Sequence, residues 1–228
     1  MPSLMLLPFD FQRAPYLILD FSAANPDLAP ARNLDLTDTA QFTDYVFGKL
    51  RAAGASVGVG GYNEHRVIYR RSEHFNTEEN PREIHLGIDF WAAAGTPVFA
   101  PLDGVVHSFR DNNNFGDYGP TIILEHRNAV GKPQSSAASQ PRYSLYGHLT
   151  RKSLEGLVEG KAFRAGEKLG EIGPYPENGD WPPHLHFQLI TDMLGLKGDF
   201  PGVCSLNNRG KFLTICPNPN ELLCIPGL

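Results

Sequence analysis

Two short segments almost a hundred residues apart constrain this chain more than any other feature. I-H-L-G-I-D-F carries His85 and Asp89, and P-P-H-L-H-F-Q carries His184 and His186. In P-H-L-H-F-Q-L-I the alternation reads as a β-strand, where residues two apart share a face. His184 and His186 then project into one space while Leu185 and Phe187 pack on the other side. His85 and Asp89 are four apart, and a straight strand would separate them by roughly 13 Å. A kinked strand end brings them together, and Gly87 permits the bend. A helix also pairs positions four apart, but Gly87 and the β-branched Ile84 and Ile88 disfavour one here.

Two histidines and an aspartate suffice as protein ligands for a catalytic zinc and leave a fourth position for water. The remaining histidine is then free for proton transfer, and S-L-Y-G-H-L-T adds a further one, His148. Zinc lowers the pKa of a bound water toward ~7 and polarises a scissile carbonyl. Amide hydrolysis also needs a proton carrier, which suits imidazole with its ordinary pKa near ~6.5. The sequence has no H-E-x-x-H helix, so the glutamate base of that design is absent.

The ordered set H-L-G-I-D, A-G-T-P-V-F-A-P-L-D-G-V-V, Y-G-P-T-I-I-L-E-H, S-L-Y-G-H-L-T, G-E-K-L-G-E-I-G and P-H-L-H-F resembles the LytM/lysostaphin-like zinc metallopeptidases over about Ile84 to Ile190. The resemblance implies zinc held by His85, Asp89 and His186, with His148 and His184 as the catalytic histidines. It implies a mainly β fold: an antiparallel, barrel-like core with a groove. It also implies cleavage of short, often glycine-containing peptides, typically in peptidoglycan. The fuller pattern, with N-G-D-W-P-P-H-L-H-F-Q, is similar to a branch fused to class III aminotransferases. That likeness implies an intracellular substrate and a functional link to an aminotransferase. Where many relatives carry a glycine-rich T-G-P run before H-L-H-F-E, this chain has Trp181, Pro182 and Pro183, with Gln188 in place of the acidic residue.

Length and composition bound the rest. The chain has 228 residues, enough to bury a sizeable core. Its 23 glycines and 19 prolines point to many turns, as in a β-rich protein. A formal charge of −5 gives no basic footprint for nucleic acid. No apolar run approaches the ~20 residues of a membrane span. The apolar Met1–Leu7 run ends at Pro8 and Asp10 with no basic region before it, so it does not read as a secretory signal. The expected location is cytoplasmic, with export of a trimmed chain as the other option. Cys204, Cys216 and Cys224 form no C-x-x-C pair and read as buried free thiols rather than a structural zinc site.

Two segments are expected, giving an α+β fold in total. Residues 1–75 read as an N-terminal α/β extension and residues 76–228 as the peptidase-like domain with a C-terminal tail. Tyr16–Phe21 reads as a buried strand, Thr37–Ala53 as an amphipathic helix, and Ala55–Val59 and Arg66–Arg71 as two more strands. In the core, Thr96–Ala100, Gly104–Phe109, Thr121–His126 and Tyr143–Tyr146 read as strands, the last pairing with the one before. Asn128–Arg142 reads as a long flexible loop, and Gly160–Gly173 has the turn-strand rhythm of a small barrel. His126 reads as a structural residue sooner than as a support for a metal ligand. His65, His74 and His107 have no motif. Tyr146 and Trp181 are aromatic candidates for the groove wall, though both suit a core. The leading function is zinc-dependent hydrolysis of an amide, foremost a peptide bond in a small or peptidoglycan-like peptide. The alternative is a zinc-bearing binding or regulatory module without turnover. A carrier-like β-domain is disfavoured because no exposed hairpin lysine of the M-K-M type occurs.

Overall fold

The computed structural model describes residues 5–72, 75, 81–126 and 142–228. It opens with strand β1 (Tyr16–Leu19), helix α1 (Thr39–Ala53) and strand β2 (Val57–Gly60). Strands β3 (Arg82–His85), β4 (Ile88–Trp91), β5 (Pro97–Phe99), β6 (Gly104–Asn112), β7 (Gly119–Glu125) and β8 (Tyr143–Gly147) follow. Strands β9 (Ala162–Phe163), β10 (Lys168–Glu171), β11 (His184–Ile190) and β12 (Val203–Ser205) precede the short helices α2 (Arg209–Ile215) and α3 (Asn220–Leu223).

Eight strands form one sheet in the order β1-β2-β4-β11-β8-β7-β6-β9. Only β1 and β2 run parallel; the other neighbours are antiparallel. β10 pairs with β5 and β12 with β3 in two small sheets. The large sheet is open, with β1 and β9 at its ends, so the expected barrel-like closure does not occur. The β5–β10 pair, which belongs to the stretch read as barrel rhythm, sits apart from that sheet as its own two-stranded sheet.

Alternation along β11 sorts the two faces. Leu185, Phe187 and Leu189 join one core cluster with Ile88, Phe90, Ile122 and Leu124. His184, His186 and Gln188 point the other way, as period-two geometry requires. Full burial of each large apolar side chain contributes about 1.5–3 kcal/mol, so the apolar face holds the polar face in register.

The extension adds its two strands to the β4 edge of the core strands. β2 pairs with β4, placing Gly60 opposite Asp89. The sequence boundary near residue 75 therefore does not correspond to a break in the sheet. α1 starts two residues later than expected because Asp38 caps it, accepting hydrogen bonds from the amides of Ala40 and Gln41. Thr37 is instead bonded to the Asp35 carboxylate. The helix stops at Gly54, whose φ of 63° closes the last turn. Its face of Phe42, Val46 and Leu50 is buried.

Arg66–Arg71 is not a strand. Arg66 makes a single bridge to Ser22, and a 3₁₀ turn follows at Ile68–Arg71. Arg66, although charged, points inward and is fully buried. The other strands lie where the sequence places them, within a few residues, and β7 pairs with β8 as expected; β1, read as buried, is instead an edge strand with Ile18 exposed. The loop read at Asn128–Arg142 lies outside the described residues except for Arg142. His74 lies outside them too. Among the described residues no helix is long and apolar enough to cross a membrane.

Candidate metal centre

His85 ends β3 and Asp89 lies in β4, with the strand interrupted at Leu86 and Gly87 between them. Gly87 does more than bend. A Cβ there would lie 2.7 Å from His186 Cε1 and 2.7 Å from the Phe187 carbonyl oxygen, so the close approach of β11 needs glycine. Register then completes the cluster. His186 stands opposite Asp89 and His184 opposite Trp91.

His85 Nε2 lies 3.0 Å from His186 Nδ1 and 3.2 Å from Asp89 Oδ1. His186 Nδ1 lies 3.0 Å from the same Oδ1. All three residues are buried. Their outer atoms set the protonation of the inner ones. His85 Nδ1 donates to the Gly61 carbonyl at 2.8 Å. His186 Nε2 donates to Gln188 Oε1 at 2.9 Å. The Gln188 amide is oriented by its own nitrogen, which donates to the Pro201 carbonyl and to Cys216 Sγ, each at 3.2 Å. Two imidazole lone pairs and a carboxylate oxygen thus converge with no donor hydrogen among them. Such a set is repulsive unless a cation lies between. Ligands at ~2.0–2.1 Å around a tetrahedral zinc stand about 3.3 Å apart, and the observed spacings fall within a few tenths of that. The residues fit a metal ion.

His148 and His184 lie beside this cluster with ring centroids 4.0 Å apart. His184 Nδ1 donates to the Pro182 carbonyl and His148 Nδ1 to the Asn178 carbonyl, each at 2.8 Å. Both Nε2 atoms therefore carry lone pairs. His184 also stacks on Trp91 at 4.1 Å. His148 follows β8 with φ of 61°, a left-handed conformation unusual for a non-glycine residue. Its amide donates to the Tyr118 carbonyl and its carbonyl accepts from Gly173, which holds that conformation in place.

Burial keeps these rings neutral. It pushes His85 and His184 down to about 4, helped at His85 by the Arg66 cation. Burial and the neighbouring His184 hold His148 well below the ordinary imidazole range. Burial opposes the charge of Asp89, but the Arg66 cation helps hold Asp89 well below the usual carboxylate range. For the metal-free protein this has a definite sign. The unfolded chain binds protons near pH 6.5 that the folded one refuses until about 4, so stability falls as pH drops through that window. The expected loss is on the order of 3 kcal/mol for each of His85 and His184. Urea midpoints of chelated protein measured between pH 7 and pH 4 check it; a flat profile would contradict neutral burial of these rings.

A groove with a cavity of about 200 Å³ opens over the cluster. Tyr69, Phe75, Trp181, Leu196 and Phe200 supply apolar walls, and Asp117 and Arg82 supply charge. Trp181 is a wall and a core residue at once: only 3% exposed, it packs edge-on against Phe42, Tyr69 and His184 beneath Arg71. Tyr146 does not line the groove; its ring lies in the opposite core against Phe187. His126 bonds the Asp103 carbonyl and Ser144 Oγ, a structural duty. His65 pairs with Glu83 and His107 with Ser108. All three cysteines are free, with Cys204 and Cys216 buried and Cys224 exposed.

The structure also brings in residues that sequence reasoning passed over. Arg66, Gly61 and Asn178 each hold a site residue, and Tyr118 contacts His186 at 3.4 Å. Two of these contacts use backbone carbonyls, which leave no trace in residue identity.

Comparison with known proteins completes the picture. The chain is 33% identical over 135 residues to the DD-carboxypeptidase/endopeptidase Mpg of Neisseria meningitidis, covering 57% of this chain and 26% of that protein. The Neisseria gonorrhoeae protein of the same name matches equally. This chain thus spans about a quarter of the length of these curated relatives. Among solved structures it aligns with the lysostaphin catalytic domain of Staphylococcus simulans, at 23% identity, TM-score 0.37, and 57% and 80% coverage of the two chains. It also aligns with a zinc containing peptidase from Vibrio cholerae, at 24% identity, TM-score 0.33, and 47% and 27% coverage. The family described as Peptidase family M23 matches residues 83–196, half of the chain and the whole span from His85 to His186. The chain belongs to peptidase family M23, the LytM/lysostaphin type of metallopeptidase.

Proposed function

We propose that this chain is a zinc-dependent peptidase, with zinc held by His85, Asp89 and His186, acting on a peptide bond in a small or peptidoglycan-like peptide. The observation that carries the reading is the convergence of three unprotonated donor atoms within 3.2 Å at the floor of a groove. When bound, zinc supplies a Lewis acid that polarises the scissile carbonyl and activates water.

The protein's own groups supply the rest. His148 and His184 present Nε2 lone pairs beside the cluster, with Nδ1 protons tied to backbone carbonyls. Either ring can accept a proton at Nε2 and return it to the leaving nitrogen. Their 4.0 Å separation disfavours charging both at once, so one carries the proton while its neutral neighbour orients the oxygen under attack. The stacked face of Trp91 and the Pro182 carbonyl fix the His184 ring, so that less of its motion must be lost on reaction. The apolar walls exclude water from the bond being cut and favour apolar side chains beside it.

The name of the Neisseria relative supports peptides containing D-residues as first substrates. A panel of linear peptides, D-Ala-terminated peptides and muropeptides, assayed with zinc and after chelation, tests the reading. The expected result is chelator-sensitive cleavage of at least one class, restored by stoichiometric zinc. Stoichiometric zinc binding without cleavage of any substrate would favour the non-catalytic module instead.

A further inference from the structure

We propose that Arg66, outside the segment matched to the family, is a positioning residue of the metal centre: it occupies Oδ2 of Asp89 so that the carboxylate offers Oδ1 alone. The inference rests on the reading that His85, Asp89 and His186 hold a metal. Arg66 is fully buried, and each guanidinium nitrogen is engaged. Nη1 donates to Asp89 Oδ2 at 2.5 Å and to the Tyr69 hydroxyl at 3.2 Å. Nε donates to Glu64 Oε2 at 2.7 Å, and Nη2 to the Gly61 carbonyl at 3.1 Å. Glu64 is itself anchored, since its Oε1 accepts from the Phe21 amide at 2.8 Å.

The Gly61 carbonyl serves two masters, accepting from Arg66 Nη2 and from His85 Nδ1. One turn of the N-terminal segment, residues 61–66, therefore holds two of the three donor residues from behind. Burying a cation costs several kcal/mol unless its partners are well placed, and a well-packed apolar side chain would stabilise the fold as well. What an apolar side chain lacks is a fork with fixed directions. A carboxylate can meet a metal through one oxygen or two. Tied at Oδ2, Asp89 presents one, and the space a second oxygen would take stays open for water and a substrate carbonyl. Outer partners of this kind typically tune metal affinity about 10–100-fold.

Cobalt(II) serves as the probe, because its visible absorption is strong at four- or five-coordinate sites and weak at six. Apo protein is titrated with cobalt against a competing chelator, for wild type, Arg66→Met and Arg66→Lys. The expected result is an affinity loss of about 10–100-fold in Arg66→Met, with weakened absorption as Asp89 engages through both oxygens and partial recovery in Arg66→Lys. Gly60→Ala is the second variant: its Cβ would meet Arg66 Nη2 at 2.6 Å, so the guanidinium must shift while the charge stays. It should weaken the absorption in the same direction. The proposal is overturned if Arg66→Met, folded by near-ultraviolet dichroism, keeps affinity and absorption within about two-fold of wild type. If that variant does not fold, the same result in Gly60→Ala overturns it. A wild type that binds no stoichiometric cobalt refutes the metal reading itself, a separate failure.

Discussion

Asp89→Ala is expected to strip zinc from the purified chain, leaving well under one ion per molecule after dialysis, while wild type should retain about one. A three-ligand site cannot lose a ligand cheaply, and the loss should exceed the ~10–100-fold seen when only an outer partner is removed. Asp89 is the most exacting of the three tests because it is also the partner of Arg66. Its removal leaves the buried Arg66 cation with Glu64 but without Asp89, a defect of at most about 3–5 kcal/mol, so the alanine variant should be destabilised as well as metal-poor. Asp89→Asn separates the two effects. The amide keeps the shape and an oxygen toward Arg66, so the fold should survive better, yet the anionic ligand is gone. Both variants are read by zinc content per folded chain. Stoichiometric zinc in dialysed, folded Asp89→Ala would remove Asp89 from the ligand set.

The fold was legible where local pattern and burial agree. In β11 the alternation of His184, Leu185, His186 and Phe187 is at once a strand signal and a map of two faces, and both readings hold. The kink at Gly87 followed from distance alone, since a straight strand cannot bring His85 to Asp89. Pattern failed at Arg66–Arg71, where a tertiary demand won: the guanidinium is drawn inward to Asp89 and Glu64, and the backbone leaves the strand path to deliver it. Barrel closure was over-read because turn rhythm specifies strands but not which edges meet. Here the β5–β10 ribbon pairs with itself apart from the large sheet.

The site was legible to the depth of its ionisable side chains. His85, Asp89, His148, His184 and His186 are brought together as the motifs imply. The orienting layer was not legible. Gly61, Asn178 and Pro182 act through carbonyl oxygens, which every residue has. Gln188 was visible only as a lost charge, yet its neutral amide fixes His186 with Nδ1 facing inward. A carboxylate there would accept the same hydrogen bond with more negative charge. The glutamine thus keeps the orientation of the ring with one negative charge fewer beside it.

His148→Ala and His184→Ala should keep zinc and lose turnover by at least ~100-fold, the scale of general acid–base catalysis. The structure gives each variant its own control. His148 sits at φ of 61°, where alanine pays about 1–2 kcal/mol that glycine does not. His148→Gly therefore distinguishes a backbone defect from the missing imidazole: the glycine variant should regain stability but not activity. His184 stacks on Trp91 and shares its face of β11 with His186, which makes it the residue most readily confused with a ligand. Geometry separates the two. His186 turns Nδ1 to within 3.0 Å of both His85 Nε2 and Asp89 Oδ1, whereas His184 Nδ1 is committed to the Pro182 carbonyl. Zinc content and kcat measured on the same preparations decide it. If His184→Ala lost zinc as readily as Asp89→Ala, the roles of His184 and His186 would have to be exchanged. Zinc retained with turnover near wild type in both alanine variants would leave the cluster a metal site without these two histidines as its proton carriers.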